Sequence, residues 1–157
     1  MQLVHRLALI LSATAALLCL SGPVQAETNQ PSKGPEQKFS AILIWGTDSA
    51  KPEGKDLKDV DSTLKDKFQK IFKWKNYFEV SKKPFSLHQG ESHMLKLSPK
   101  CDVKVHQSEK EGLEVELYGE GKFVVKRKQT MPLSDILILA GDDKNASAWF
   151  VVIKPES

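Results

Sequence analysis

The sequence predicts an α+β domain that is mostly β: an antiparallel sandwich or roll of about eight to nine strands with one amphipathic helix. Continuous apolar runs at residues 38–46 and 148–153 stand between turn residues, which is typical of strands buried on both faces. Several other short segments alternate between apolar and polar residues. One stretch, residues 59–74, instead carries its apolar residues at helical spacing.

The first 26 residues are typical of a cleavable secretory signal. Arg6 precedes an uncharged apolar stretch over residues 7–20, and Val24 and Ala26 supply small residues at the two positions that a signal peptidase recognises. The alternative is a retained membrane anchor. A helix over residues 7–20 would span roughly 21 Å at ~1.5 Å per residue, which is short of a ~30 Å hydrocarbon core. We therefore predict cleavage after Ala26 and a secreted or periplasmic location.

Residues 27–37 (ETNQPSKGPEQ) hold almost nothing apolar, so we predict a flexible segment there and a single β-rich domain over residues 38–157. In the predicted helix, Asp59 and Asp61 stand where a cap and a first-turn acid are favoured. The apolar stripe of this segment consists of Leu57, Val60, Leu64, Phe68, Ile71 and Phe72. A stripe of this kind covers one face of a sheet or, alternatively, binds a membrane surface.

The remaining strands are predicted from β-branched and aromatic runs between turn signals. They cover residues 77–81, 85–88, 93–97, 101–106, 113–117, 122–128 and 136–140. Residues 101–106 and 113–117 alternate strictly, which predicts a hairpin with one wet face. Cys101 falls on the inward side of this pattern and stays alone once the leader with Cys19 is removed. A small buried hydrophobe is its predicted role, and a reactive thiol is the alternative.

The charge balance argues against nucleic-acid binding. Lys and Arg number 23 against 20 acids, for a formal net charge of +3, and Arg127 is the one Arg outside the leader. Phosphate and base recognition favour the bidentate guanidinium of Arg, so a nearly neutral chain rich in Lys is a poor candidate.

The sequence predicts no catalytic residues, no cofactor and no metal site. His88, His93 and Cys101 are residue types that bind zinc, but their spacing matches no zinc motif. Asp142 begins a turn that lacks the ligand pattern of a calcium loop. No nucleophile motif of a hydrolase is present.

Lys73, Trp74, Lys75 and Tyr77 form the predicted contact surface for a partner. Trp74 is expected to be partly exposed because it stands among lysines near the end of the predicted helix, and exposed aromatic residues are enriched in interfaces. Trp45 and Trp149 lie in the two most apolar strands and are predicted to pack in the core.

Four segments carry a resemblance: Trp45-Gly46-Thr47, residues 73–80 (KWKNYFEV), residues 98–101 (SPKC) and residues 148–152 (AWFVV). With them the chain resembles a family of small secreted bacterial proteins of uncharacterised function. The resemblance covers most of the chain after the leader. It implies no active site, so no functional residue is carried over.

These observations favour a secreted or periplasmic, non-catalytic β-rich module that binds a protein or a cell-envelope component. The alternative is a small hydrolase, or a ligand- or metal-binding protein, whose site is assembled from distant residues such as His88, His93 and Asp142.

Overall fold

The computed structural model describes residues 34–108, 112–130, 136–142 and 147–156 of the 157-residue chain. The predicted signal peptide, residues 1–26, and residues 27–33 of the predicted flexible segment lie outside the described residues. Both therefore stay predictions.

The described residues form nine strands and one helix. They are β1 (Gln37–Thr47), β2 (Lys58–Asp59), α1 (Ser62–Ile71), β3 (Asn76–Leu87), β4 (Ser92–Ser98), β5 (Cys101–Ser108), β6 (Gly112–Gly119), β7 (Lys122–Thr130), β8 (Leu137–Asp142) and β9 (Ser147–Pro155).

The strands make two antiparallel sheets. The five-stranded sheet has the order β2-β3-β1-β9-β8, and the four-stranded sheet has the order β4-β5-β6-β7. Every pairing between neighbours is antiparallel. The predicted fold class is confirmed. Of the helices in the described residues, none is long and apolar enough to cross a bilayer.

The two apolar runs occupy the centre of the five-stranded sheet, as predicted. β1 pairs with β3 on one side and with β9 on the other, and β9 also pairs with β8. Ile42 of β1 and Val151 of β9 are both buried. A strand that is paired on both edges and covered on both faces has no place for polar side chains, which explains the continuous apolar sequence.

The interior between the sheets is built from alternate residues. Phe39, Ala41 and Leu43 of β1 face the four-stranded sheet and pack in one cluster with Val103 and Val115. The predicted hairpin of β5 and β6 is confirmed, with Cys101 opposite Gly119 and Ser108 opposite Gly112. Cys101 lies at the border of this cluster and is half-buried.

The opposite face of the five-stranded sheet, called the outer face below, is covered at one end by α1. Ile42 and Ile44 pack there with Leu64 and Phe68 of the helix and with Phe150 of β9. The rings of Phe68 and Phe150 meet edge to face at 5.0 Å. The predicted role of the helix as a cover for the sheet is confirmed.

The helix is shorter than the predicted segment of residues 59–74. Asp59 is not its cap: Lys58 and Asp59 pair with β3 as the short strand β2, and Val60 donates its N–H to the Tyr77 carbonyl. Asp61 is the N-cap, and its Oδ1 accepts the Leu64 N–H at 3.0 Å. At the other end Phe72 is already extended, and Ile71, predicted to lie on the apolar stripe, is 64% exposed.

The predicted strands at residues 77–81 and 85–88 are one strand, β3. Pro84 does not interrupt it, because β2 pairs with Phe78 and Glu79 alone. Within the described residues the outer edge of β3 has no partner strand beside Pro84, so the missing N–H breaks no ladder hydrogen bond. A bulge opposite Leu43 and Ile44 leaves Val80 as the extra residue of β3.

Gly46 of β1 lies where aromatic rings converge beneath α1. A Cβ built at this position would stand 2.8 Å from Phe150, 2.9 Å from Trp74 and 3.2 Å from Tyr77. The first two distances are shorter than real Cβ contacts, so the packing of the three rings requires a residue without a side chain. Tyr77 is the partner of Gly46 in β3.

Candidate binding groove on the five-stranded sheet

A groove of about 880 Å³ lies on the five-stranded sheet. It lies beside the part of β3 that β2 does not reach, at the end of the outer face that α1 leaves uncovered. Ile42 packs under the helix, and Ser40 and Lys38 continue the same face beyond it. The groove is lined by Lys38, Phe39, Ser40, Asp56, Lys58, Glu79, Val80, Ser81, Lys82, Pro84, Phe85, Ser86 and Glu156.

The groove holds charges of both signs. Within the described residues, one ion pair lines the groove. It joins Lys82 Nζ to the Glu156 carboxylate at 3.6 Å. Lys38, Lys58 and Glu79 take part in no ion pair within the described part of the chain. Lys38 and Lys58 are exposed and Glu79 is half-buried, so these side chains can reach a molecule in the groove.

Glu156 is fixed by three contacts at the wall of the groove. The buried Ser40 hydroxyl donates a short hydrogen bond to its carboxylate, the Lys82 ammonium lies nearby, and its backbone N–H donates to the Lys38 carbonyl at 2.9 Å. The hydrogen bond from Ser40 and the charges of Lys82 and Lys154 hold the pKa of Glu156 below its ordinary value. The carboxylate is ionised at neutral pH.

The floor of the groove is well anchored. Ser81 donates its hydroxyl to the Leu97 carbonyl of the four-stranded sheet at 2.6 Å, and Ser86 donates to Glu36 at 2.7 Å. Beneath the polar layer, the rings of Phe39 and Phe85 stack at 5.4 Å. These contacts give the groove a preformed shape, which lowers the entropy lost on binding.

Of the predicted contact surface of Lys73, Trp74, Lys75 and Tyr77, the structure corrects Tyr77; the other three residues are at least partly exposed, and their role stays a prediction. Tyr77 is only 2% exposed, because it closes over Gly46 and its hydroxyl donates to backbone carbonyls at the end of α1. Trp74 is half-buried against the same cluster, and the Lys73 ammonium lies 4.6 Å from its ring centroid. The Lys75 N–H donates to Asp48 at 3.1 Å. Tyr77 and Trp74 therefore close the core beneath the helix.

Trp45 and Trp149 stack across β1 and β9 at 6.3 Å. Phe78 extends this row on β3, 6.0 Å from Trp45. The three residues occupy adjacent positions in the register of neighbouring strands. Cross-strand packing of this kind stabilises the sheet. The prediction that both tryptophans pack in the core is wrong, because Trp149 is 37% exposed and Trp45 is only half-buried.

The residues of the alternative site are not brought together. His88 lies 3.1 Å from Glu91, and His93 packs against the ring of Phe85. His93 pairs with Val105, four residues along β5 from Cys101, which places the sulfur roughly 13 Å away. Within the described residues no three His, Cys, Asp or Glu side chains could hold a metal ion. The side chain of Asp142 lies outside the description.

Cys101 fits the predicted role of a structural cysteine. Burial, together with the nearby charge of Asp102, raises the pKa of its thiol to about 11. At neutral pH the thiolate, which is the nucleophilic form, is scarce.

A smaller concavity of about 220 Å³ lies on the outward face of the four-stranded sheet. Here Lys126 reaches Glu114 at 2.6 Å and Glu116 at 3.1 Å, and Lys128 also contacts Glu114. These hydrogen bonds and charges lower the pKa of Glu114 to about 2. The charged groups satisfy one another, unlike those of the groove.

The residues of the groove are not recognisable as a site from the sequence. They come from β1, from β3, from the segment before α1 and from the residue after β9, and only the strand register brings them together. One signal was present: Lys82-Lys83-Pro84 is a combination typical of a sheet edge. In comparisons with known proteins, no family model, no curated protein and no solved structure matches the chain. The resemblance to a family of small secreted proteins stays a prediction.

Proposed function

We propose that the protein is a secreted or periplasmic, non-catalytic module that binds an extended segment of a partner protein in the groove beside β3. The observation that carries this proposal is a preformed concavity with charges of both signs that form no ion pair with any other described residue. Lys38 and Lys58 offer ammonium groups, and Glu79 and Asp56 offer carboxylates. A polypeptide segment with acidic and basic residues supplies the complementary charges.

The size and the depth of the groove support a polypeptide ligand. Its volume of about 880 Å³ is at the upper end of the range for small-molecule sites, ~300–1,000 Å³. The groove is open along β3 and does not enclose its contents, which suits a segment that enters and leaves at the ends. Lysines and proline at a sheet edge disfavour backbone pairing with an additional strand, and Lys82, Lys83 and Pro84 occupy this edge of β3. Recognition therefore depends on side chains.

The chemistry of Glu156 supports binding over acid–base catalysis. A general acid or base works best when its pKa lies near the operating pH. The contacts with Ser40 and Lys82 move the pKa of Glu156 in the opposite direction, away from neutrality. Its carboxylate is a permanent negative charge and positions the cation of Lys82.

Site-specific photo-crosslinking tests the proposal. A photoreactive residue in place of Lys58 is expected to capture a protein in secreting cells. The same residue in place of Lys96, an exposed lysine of β4, serves as the matched control and is expected to capture none.

Charge reversal in the groove provides the second part of this test. Lys38→Glu combined with Glu79→Lys is expected to abolish the adduct at position 58, whereas Lys96→Glu leaves it unchanged. Two outcomes contradict a partner site in the groove. One is an adduct at position 58 that still forms in the charge-reversal variant, and the other is the capture of the same protein to the same extent from positions 58 and 96.

Export has its own test. The leader supports secretion, and N-terminal sequencing of the mature protein is expected to begin at Glu27. A chain that begins at Met1 in the cell envelope or the medium refutes cleavage.

A further inference from the structure

The hairpin of β6 and β7 ends in a rigid turn. Gly119 pairs with Lys122, and the two residues between them, Glu120 and Gly121, both have positive φ, of 49° and 76°. Two such residues match the turn geometry that suits the twist of a hairpin. The Glu120 N–H also donates to the Lys100 carbonyl at 2.9 Å, which ties this tip to the turn between β4 and β5.

Two large apolar residues are exposed next to this turn. Phe123 is 59% exposed and Val124 is 47% exposed. In a regular strand, neighbouring side chains point to opposite faces. Here a bulge opposite Leu117 and Tyr118 leaves Val124 as an extra residue, so both side chains meet solvent. The Tyr118 ring contacts Phe123 edge to face at 6.0 Å and holds it in place.

The strand that presents these residues is cationic. β7 contains Lys122, Lys126, Arg127 and Lys128 and no acid, and all its residues except Val125 are exposed. Lys126 and Lys128 bind acids of β6, whereas Lys122 and Arg127 form no ion pair within the described residues. Apolar side chains beside unpaired cations form the pattern by which a protein surface binds an anionic bilayer.

We propose that the tip of the β6–β7 hairpin docks on an anionic phospholipid bilayer. Phe123 and Val124 enter the boundary between headgroups and acyl chains, and Lys122 contacts the phosphates beside them. Arg127, four residues beyond Phe123 along β7, adds a longer-range attraction to the anionic surface. Charge complementarity selects this partner, because the apolar pair alone would fit an apolar site of a protein equally well. The groove beside β3 lies on the other sheet, so the two sites act independently.

Vesicle co-sedimentation of the processed chain tests the proposal. The protein is expected to sediment with vesicles of equimolar phosphatidylglycerol and phosphatidylcholine, and much less with phosphatidylcholine alone. Raising NaCl from about 0.1 M to about 0.5 M is expected to release it, because salt screens the attraction. No sedimentation with the anionic vesicles overturns the proposal, as does equal binding to both vesicle types.

Substitutions separate insertion from plain charge attraction. Phe123→Ser is expected to weaken vesicle binding roughly tenfold, in line with the apolar area withdrawn from water. Met94→Ser removes an apolar side chain that is 56% exposed elsewhere on the same sheet, and it is expected to leave binding unchanged. Lys122→Glu combined with Arg127→Glu is expected to abolish binding. If Phe123→Ser binds like the unaltered chain, or if Met94→Ser weakens binding as much, the docking site at the tip is refuted.

Discussion

The five-stranded sheet has a bulge in β3 and the four-stranded sheet has one in β7, and these two bulges have opposite outcomes. In β3 the extra residue is Val80, which is half-buried and packs against the core between the sheets. In β7 the extra residue is Val124, which is exposed. The Val80 bulge lies where the four-stranded sheet covers the inner face. Val124 lies beside Gly119, at a hairpin tip that extends beyond the core.

This difference shows that a bulge has no function of its own. The same irregularity adds a half-buried valine to the core in one sheet and exposes an apolar pair in the other, and the layer opposite the bulge decides which occurs. The two proposed binding surfaces differ for the same reason. The region of β3 offers recessed charges of both signs, and the region of β7 offers protruding apolar groups with cations.

The largest expected difference concerns one phenylalanine from each region. Phe85→Ala is expected to lower the free energy of unfolding by about 3–5 kcal/mol, because the residue is buried and stacked on Phe39. Phe123→Ala is expected to change it by at most about 0.5 kcal/mol. Urea unfolding of both variants measures the contrast. Equal losses would show that the tip is part of the core.

The bulged valines give a smaller contrast of the same kind. Val80→Ala removes two methyl groups that contact the core and is expected to cost about 1 kcal/mol. Val124→Ala, matched in chemistry, is expected to stay within about 0.5 kcal/mol of the unaltered chain. Thermal unfolding followed by circular dichroism separates the two. A greater loss at Val124 would contradict the assignment of the two bulges.

The turn at the tip of the β6–β7 hairpin offers a stabilising change. Glu120 adopts a left-handed conformation that costs a residue with a Cβ about 1–2 kcal/mol, and Asn tolerates it better. Glu120→Asn also loses the exposed ion pair with Lys100, which contributes little. We expect the free energy of unfolding, measured by urea denaturation, to rise by about 0.5 kcal/mol. A clear loss would show that this ion pair supports the tip.

The smallest effect is the dependence of stability on pH. The folded-state pKa of Glu114, about 2, lies below its ordinary value of 4.5, so its contribution is complete above pH 4.5 and disappears as the pH falls toward 2. The pKa of Glu156 is also lowered in the folded state, so its contribution to stability likewise falls as the pH falls. Glu114→Gln is expected to flatten the fall of the melting temperature between these limits. An unchanged slope would mean that solvent screens the contacts with Lys126 and Lys128.

The sequence was sufficient for features that depend on local pattern. The apolar runs of β1 and β9 and the strict alternation of β5 and β6 identify buried and half-buried strands without knowledge of their partners. The helix was found for the same reason. Its start was misplaced because Lys58 and Asp59 pair with β3, and no local signal at these residues predicts that partner.

The groove and the place of Tyr77 depend on register, which the sequence does not display. Tyr77 is buried because its partner in β1 is Gly46, and Pro84 is tolerated because β2 is too short to reach it. Glu156 reaches Ser40 because β9 pairs with β1 over nine positions. Each of these facts joins residues that are distant in the chain.

Gly46 also affects which part of the molecule is most sensitive to heating. Its missing Cβ lets the aromatic layer of α1 rest on the sheet, while the cluster between the two sheets contains none of the rings that surround it. A methyl group introduced at this position acts as a wedge under one layer alone. We therefore expect Gly46→Ala to loosen the aromatic layer under α1 at a lower temperature than the cluster between the two sheets.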